Sequence, residues 1–201
     1  MLRHRIHLVA ELASDAGPAV GEPVVGHPAQ QVGARIYDAA MTDITPCLWF
    51  DGNADEAVDH YLSIFPNSRR LTGSEYGPDT PGEEGTTLTL SFELDGRPFM
   101  ALNGGPAFQF TPAISFVVNC ETQEELDHYW DRLLEGGAPS QCGWLTDRFG
   151  VSWQIVPTRL GELMSDPDHE RANRVMQAML KMIKLDIAQL EAAAAGAGHR
   201  R

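Results

Sequence analysis

Cys142-Gly-Trp-Leu-Thr-Asp-Arg-Phe-Gly-Val-Ser-Trp-Gln-Ile-Val-Pro157 reads as two short strands joined by a tight turn, with Asp147-Arg-Phe-Gly150 at the corner. Gly150 suits the positive φ that such a turn often needs. Beyond it, Val151, Trp153 and Ile155 alternate with Ser152 and Gln154, the period of two that marks a strand with unlike faces. One face is large and apolar, the other small and polar. The polar face suits the wall of a cavity, and Gln154 stands where a catalytic or metal-binding group would be expected.

Working outward from this hairpin, one pattern of elements occurs twice. The first half opens with a strand over Ile44–Phe50, then Asp51-Gly-Asn53 as turn and helix cap. An amphipathic helix over Ala54–Phe65 follows, with Ala57, Tyr61 and Phe65 at helical spacing. Strands are expected over Arg69–Tyr76, Thr86–Leu94 and Arg97–Asn103, the last two joined by Asp95-Gly96, a strong hairpin signal. The second half begins with a strand over Ala113–Asn119. Thr122 caps a helix over Gln123–Glu135, with Glu125 completing a capping box and Gly136-Gly137 ending it. Strands follow near Ser140–Gln141, Trp144–Thr146 and Val151–Val156. The order predicts an α+β fold of two βαβββ modules whose curved sheets join into an open barrel-like cup, with helices at the C-terminus. Ligands favour such concave sites between modules.

The tail reads as a short helix at Leu160–Met164, then a longer one begun by Asp166-Pro-Asp168 with Pro167 in its first turn. Within Glu170–Ala195, Val175, Met176, Met179, Met182, Ile183 and Leu190 belong to one broad apolar stripe, suited to packing on its own domain or on a twin subunit. The domain reading is a flexible or over-extended leader at 1–40, a paired domain at 41–157 and a helical extension of that domain at 158–201. The leader is rich in Gly, Ala, Pro and Val, and Met41 reads as the natural start.

Composition limits the function. The 201 residues carry a formal charge of −13, against the basic face that nucleic acid requires. No apolar run approaches the roughly 20 residues that span a bilayer. Three cysteines, Cys47, Cys120 and Cys142, form no CxxC pair and suit free thiols in a reducing cytoplasmic setting. His60, His128 and His169 fall on helical positions read as exposed, and no two histidines stand at ligand spacing. Trp49, Trp130 and Trp153 are expected to fill the helix–sheet cores.

Thr45-Pro-Cys-Leu-Trp-Phe-Asp-Gly-Asn53 with Glu56-Ala57 and Tyr61 resembles the opening of PhnB-like proteins in the vicinal oxygen chelate (glyoxalase/bleomycin resistance) superfamily. Leu94–Gly105, Ser115–Glu125 and the opening hairpin are similar to the same family, so the resemblance spans about residues 42 to 195 in four ordered motifs. It implies the paired βαβββ fold and a homodimer. Members often carry the label demethylubiquinone 3-methyltransferase-like. The superfamily holds a divalent metal with a His on the first strand and a Glu on the fourth strand of each half. Counted back from the helix caps, those positions fall on Pro46 and Ala113, on Gln154, and on Ala101 or Asn103. Proline and alanine offer no donor, and neutral amides bind divalent transition metals weakly.

The expected activity is therefore metal-independent binding of a small organic molecule, with no cofactor, in a pocket drawn from Asn103, Ser115, Cys142, Trp144, Ser152 and Gln154. An enzyme on a small organic substrate, including methyl transfer, is the alternative. The Gly-rich strand-to-helix loop usual for a methyl donor has only Asn103-Gly-Gly105 as a match, and that leads into Pro106 without a helix. A protein that binds partners through the methionine-bearing helix is a third reading.

Overall fold

The computed structural model describes residues 44–196; the leader read at 1–40 and the terminus at 197–201 lie outside them. The first module contains β1 (Cys47–Phe50), α1 (Ala54–Ile64), β2 (Arg69–Glu75), β3 (Thr87–Leu94) and β4 (Arg97–Asn103). The second contains β5 (Phe116–Cys120), α2 (Gln123–Leu134), β6 (Ala138–Pro139), β7 (Trp144–Thr146) and β8 (Ser152–Pro157). Three helices follow, α3 (Thr158–Met164), α4 (His169–Met179) and α5 (Ile187–Ala194). The two sheets run β1-β4-β3-β2 and β5-β8-β7-β6, the same order in both modules. In each, the strand before the helix lies parallel to the last strand, β1 on β4 and β5 on β8, and no closed barrel forms. This is the α+β architecture expected.

Alternation along the strands separates two faces. Leu48, Phe50, Leu90, Phe92, Leu94 and Ala101 are buried on the side of the first sheet that carries α1. Phe116, Cys120, Leu145, Trp153 and Ile155 share the corresponding side of the second sheet with Leu126, Trp130 and Leu133 of α2. One hydrophobic core runs through both modules. Fully burying a side chain such as Phe92 or Leu133 contributes roughly 1.5–3 kcal/mol. The modules meet through these helix-bearing faces: Tyr61 of α1 and Phe65 at its C-cap pack on Trp153, and Phe99 packs on Phe116. The opposite, helix-free faces remain open.

Several details depart from the sequence reading. Asn53 makes no side-chain cap; the first amide of α1, Ala54 N, donates to Asn103 Oδ1 at 2.9 Å instead. The strand β5 starts at Phe116, and Ala113 lies in an exposed turn before it. Pairing places β6 on Ala138–Pro139 rather than Ser140–Gln141. The long tail helix is two helices separated by 180–186. Cys142 N and Gly143 N donate to Met182 O and Ile183 O, each at 2.8 Å, so tertiary hydrogen bonds take carbonyls a continuous helix would use. Pro167 precedes α4, whose cap is Asp168 accepting from Glu170 N and Arg171 N. Trp130 and Trp153 fill the core as expected, but Trp49 stands half-buried on the helix-free face. His60 is buried, not solvated.

Candidate functional site

The ligand-position count misses in both modules: Pro46 lies one residue before Cys47, and Ala113 four before Val117. Asp51-Gly-Asn53 puts three residues between β1 and α1, whereas Glu121-Thr122 puts two between β5 and α2. Sheet pairing gives the correct equivalence. Val117, Gln154 and Trp144 form one row across β5, β8 and β7, and its counterpart across β1, β4 and β3 is Cys47, Met100 and Ser91. Met100 thus stands where Gln154 stands in the other half. Pro46 is itself exposed but in step with the buried Leu48 and Phe50, on the side where Ala101 and Asn103 are buried.

Gln154 Nε2 donates to Ser115 Oγ at 2.9 Å, tying the last strand of the module to the residue just before its first strand. Trp144 stands beside Gln154 in register, and Ser152 pairs with Thr146 in the next row, buried. Ser115, Trp144, Ser152 and Gln154 therefore come together on the helix-free face of the second sheet. Cys142 precedes them in a turn with φ of 59°, followed by Gly143 at 82°. A Cβ on Gly143 would lie 2.7 Å from Ile155 O and 3.0 Å from the Leu185 side chain, so only glycine fits.

Asn103 does not join this group. Its side chain receives Ala54 N and donates to Thr87 O at 2.9 Å, and its carbonyl accepts from Tyr76 Oη, which makes it a brace for α1 in the other module. A crevice of about 490 Å³ adjoins the group at the free edge of β5, lined by Ser115, Val117, Phe99, Phe116 and Tyr129 among others.

Two features escaped the sequence. Trp49, Met100 and Leu102 make an apolar helix-free face on the first sheet, where Trp49 Nε1 donates to Gly105 O at 2.8 Å and Phe108 meets the indole edge-on at 5.0 Å. All four residues of β1 are apolar, so the pattern carried no contrast between faces. Asp147, read only as part of a turn, is 3 % exposed. Its Oδ2 accepts Tyr61 Oη at 2.7 Å and Trp153 Nε1 at 2.8 Å, and its Oδ1 accepts Phe149 N and Val151 N. Burial, and then the Asp147 carboxylate beside it, hold the Tyr61 phenol well above its ordinary value. Burial also pushes the Cys120 thiol up to about 12, which makes it inert as a nucleophile.

Gly104 is packed, since a Cβ there would lie 2.2 Å from the Trp49 indole, whereas a Cβ at Gly105 would meet nothing within 4 Å. Among the described residues, no three His, Cys, Asp or Glu side chains gather to hold a metal ion, and no helix is long and apolar enough to cross a membrane.

The chain matches the family model for 3-demethylubiquinone-9 3-methyltransferase over residues 42–156. None of the curated proteins matches it. Among solved structures, it is similar to a putative 3-demethylubiquinone-9 3-methyltransferase, PhnB protein, from Bacillus cereus, at 38% identity and a TM-score of 0.54, covering 58% of this chain and 100% of that one. Protein PA1353 from Pseudomonas aeruginosa aligns at 22% identity and a TM-score of 0.49, covering 58% and 98%. The fosfomycin resistance protein FosX from Listeria monocytogenes aligns at 14% and 0.46, covering 63% and 99%. With its repeated βαβββ order and this match, the chain belongs to the 3-demethylubiquinone-9 3-methyltransferase (PhnB-like) family.

Proposed function

We propose that this protein binds a small, flat, moderately polar organic molecule, without a metal, on the helix-free face of the second sheet. The observation that carries the reading is the hydrogen bond from Gln154 to Ser115, a neutral amide and a hydroxyl satisfying each other at the centre of that face. The superfamily's metal chemistry needs imidazole and carboxylate donors there. The residues present do not fit a divalent ion: the central rows offer Val117, Gln154 and Trp144 in one module and Cys47, Met100 and Ser91 in the other. An indole beside an amide suits an aromatic ring with polar substituents.

A second copy of the chain completes the cup. Val117, Phe108 and Ile114 are 51%, 66% and 76% exposed, an unusual concentration of bare apolar surface around the two open faces. Laying the Trp49 face of one copy over the Gln154 face of another covers it and encloses the ligand from both sides. The charge of −13 disfavours nucleic acid as a partner, and three free thiols suit a cytoplasmic location.

Methyl transfer is the second reading, favoured by the description of the matching family model. Against it stand Gly104, packed on Trp49, and the β5 strand rather than a helix as the next element after Gly105. Two measurements on purified protein separate the readings. Elemental analysis is expected to find no stoichiometric Ni, Zn, Mn or Fe, and finding one per chain overturns the metal-free reading. Calorimetry with S-adenosylmethionine is expected to be silent, and micromolar binding would favour methyl transfer instead.

A further inference from the structure

His60 lies on α1 where that helix meets the turn between β7 and β8. The residue is 7% exposed, and its Nε2 is buried with no hydrogen-bond partner. The Phe149 ring, from the opposite module, lies 5.6 Å away, and Tyr61 lies on its own helix at 6.0 Å. A neutral imidazole tolerates this apolar contact. An imidazolium does not, because it would be a buried charge with an unpaired donor.

The charged groups around it do not rescue the cation. From the β7–β8 turn come Arg148 and Asp147, and from the end of α2 come Glu135 and Arg132. Asp147 already accepts four hydrogen bonds, from Tyr61, Trp153, Phe149 and Val151. Arg148 lies over the Phe149 ring at 4.9 Å and reaches Glu56, one turn before His60 on α1, at 3.5 Å. Burial first, and then the Arg148 charge, hold the imidazole below its ordinary value, although Asp147 and Glu135 pull the other way.

We propose that His60 is an acid-sensitive latch between the two modules, closed while its ring is neutral and released when the ring takes a proton. The sign follows from linkage. The unfolded chain binds the proton more tightly than the folded one, so the contribution of His60 is complete above about pH 6.5 and is lost as the pH falls below it. The first contacts to loosen are those of α1 with Phe149 and the turn, not the pairing within either sheet. Module packing, and with it the arrangement of the open faces, thereby answers to mild acid.

The test compares the full chain with His60→Gln and His60→Phe by denaturant unfolding between pH 7.5 and 5.0. Carboxylates titrate in all three proteins, so the difference isolates His60. The wild-type unfolding constant should rise relative to both variants by up to about tenfold per pH unit below 6.5. Protection of the Phe149 and Val151 amides, measured relative to the slower intrinsic exchange in acid, should fall as the pH drops in the wild type alone. Equal acid slopes in all three proteins overturn the proposal. So does a proton NMR titration of the wild-type His60 ring at or above about 6.5, a measurement that needs no variant to fold.

Discussion

Tyr61 and Asp147 join the two modules through one short hydrogen bond, phenol to carboxylate at 2.7 Å, between α1 of the first and the closing hairpin of the second. The carboxylate is buried, and the same oxygen takes the Trp153 indole N–H while the other takes two backbone amides. Every acceptor is used. A buried charge satisfied in this way fixes both the turn and the approach of the helix.

Asp147→Ala strands four donors in the core and is expected to cost about 3–5 kcal/mol. Tyr61→Phe removes one donor and should cost about 1–2 kcal/mol. Denaturant unfolding measures both. A cost below 1 kcal/mol for Asp147→Ala would show that the junction does not depend on it.

The same pair sets a limit in alkali. The folded state keeps the Tyr61 proton after the unfolded chain has lost it, so the stability it contributes is present below about pH 10 and falls above that value. Titration followed by tyrosinate absorbance should show one phenol ionising only as the protein unfolds, and Tyr61→Phe should abolish that late step.

Gly143→Ala tests the clamp that the C-terminal segment places on the site. The added methyl group meets Ile155 O and Leu185 in a left-handed conformation, and the expected loss is about 1–3 kcal/mol. Thermal unfolding measures it. An unchanged midpoint would mean that the turn from Cys142 to Trp144 can rearrange freely.

Val117→Asp puts a charge on the half-exposed row beside Gln154, on the face opposite Phe116 and the buried Trp153. Sedimentation should find dimers for the wild type and monomers of unchanged thermal stability for the variant. Wild-type monomers at micromolar concentration would remove the second copy from the cup.

The duplicated order was legible because its punctuation is local: Asp95-Gly96 turns β3 into β4, Thr122 and Glu125 start α2, and Gly150 closes the last hairpin. What the chain hides is set by distant partners. The cap of α1 is Asn103, 49 residues downstream of Ala54. The tail helix breaks because the amides of Cys142 and Gly143 claim two of its carbonyls. Alternation along β8 put Ser152 and Gln154 on one face, and the pairing and the hydrogen bond to Ser115 bring Trp144 and Ser115 beside them. It misplaced Asn103, whose polarity serves a helix end rather than a cavity. It also missed Trp49, because both faces of β1 are apolar. Counting back from the helix caps also set Pro46 one residue and Ala113 four residues ahead of Cys47 and Val117, a detail only the pairing of β1 with β4 and of β5 with β8 exposes.

Native mass spectrometry of the protein as purified from cells, beside Trp144→Ala, tests metal-free ligand binding on the second sheet most directly. The wild type should carry one organic molecule per chain, and the variant should lose it while remaining folded. A wild-type chain that carries one transition-metal ion and no organic molecule would contradict this function.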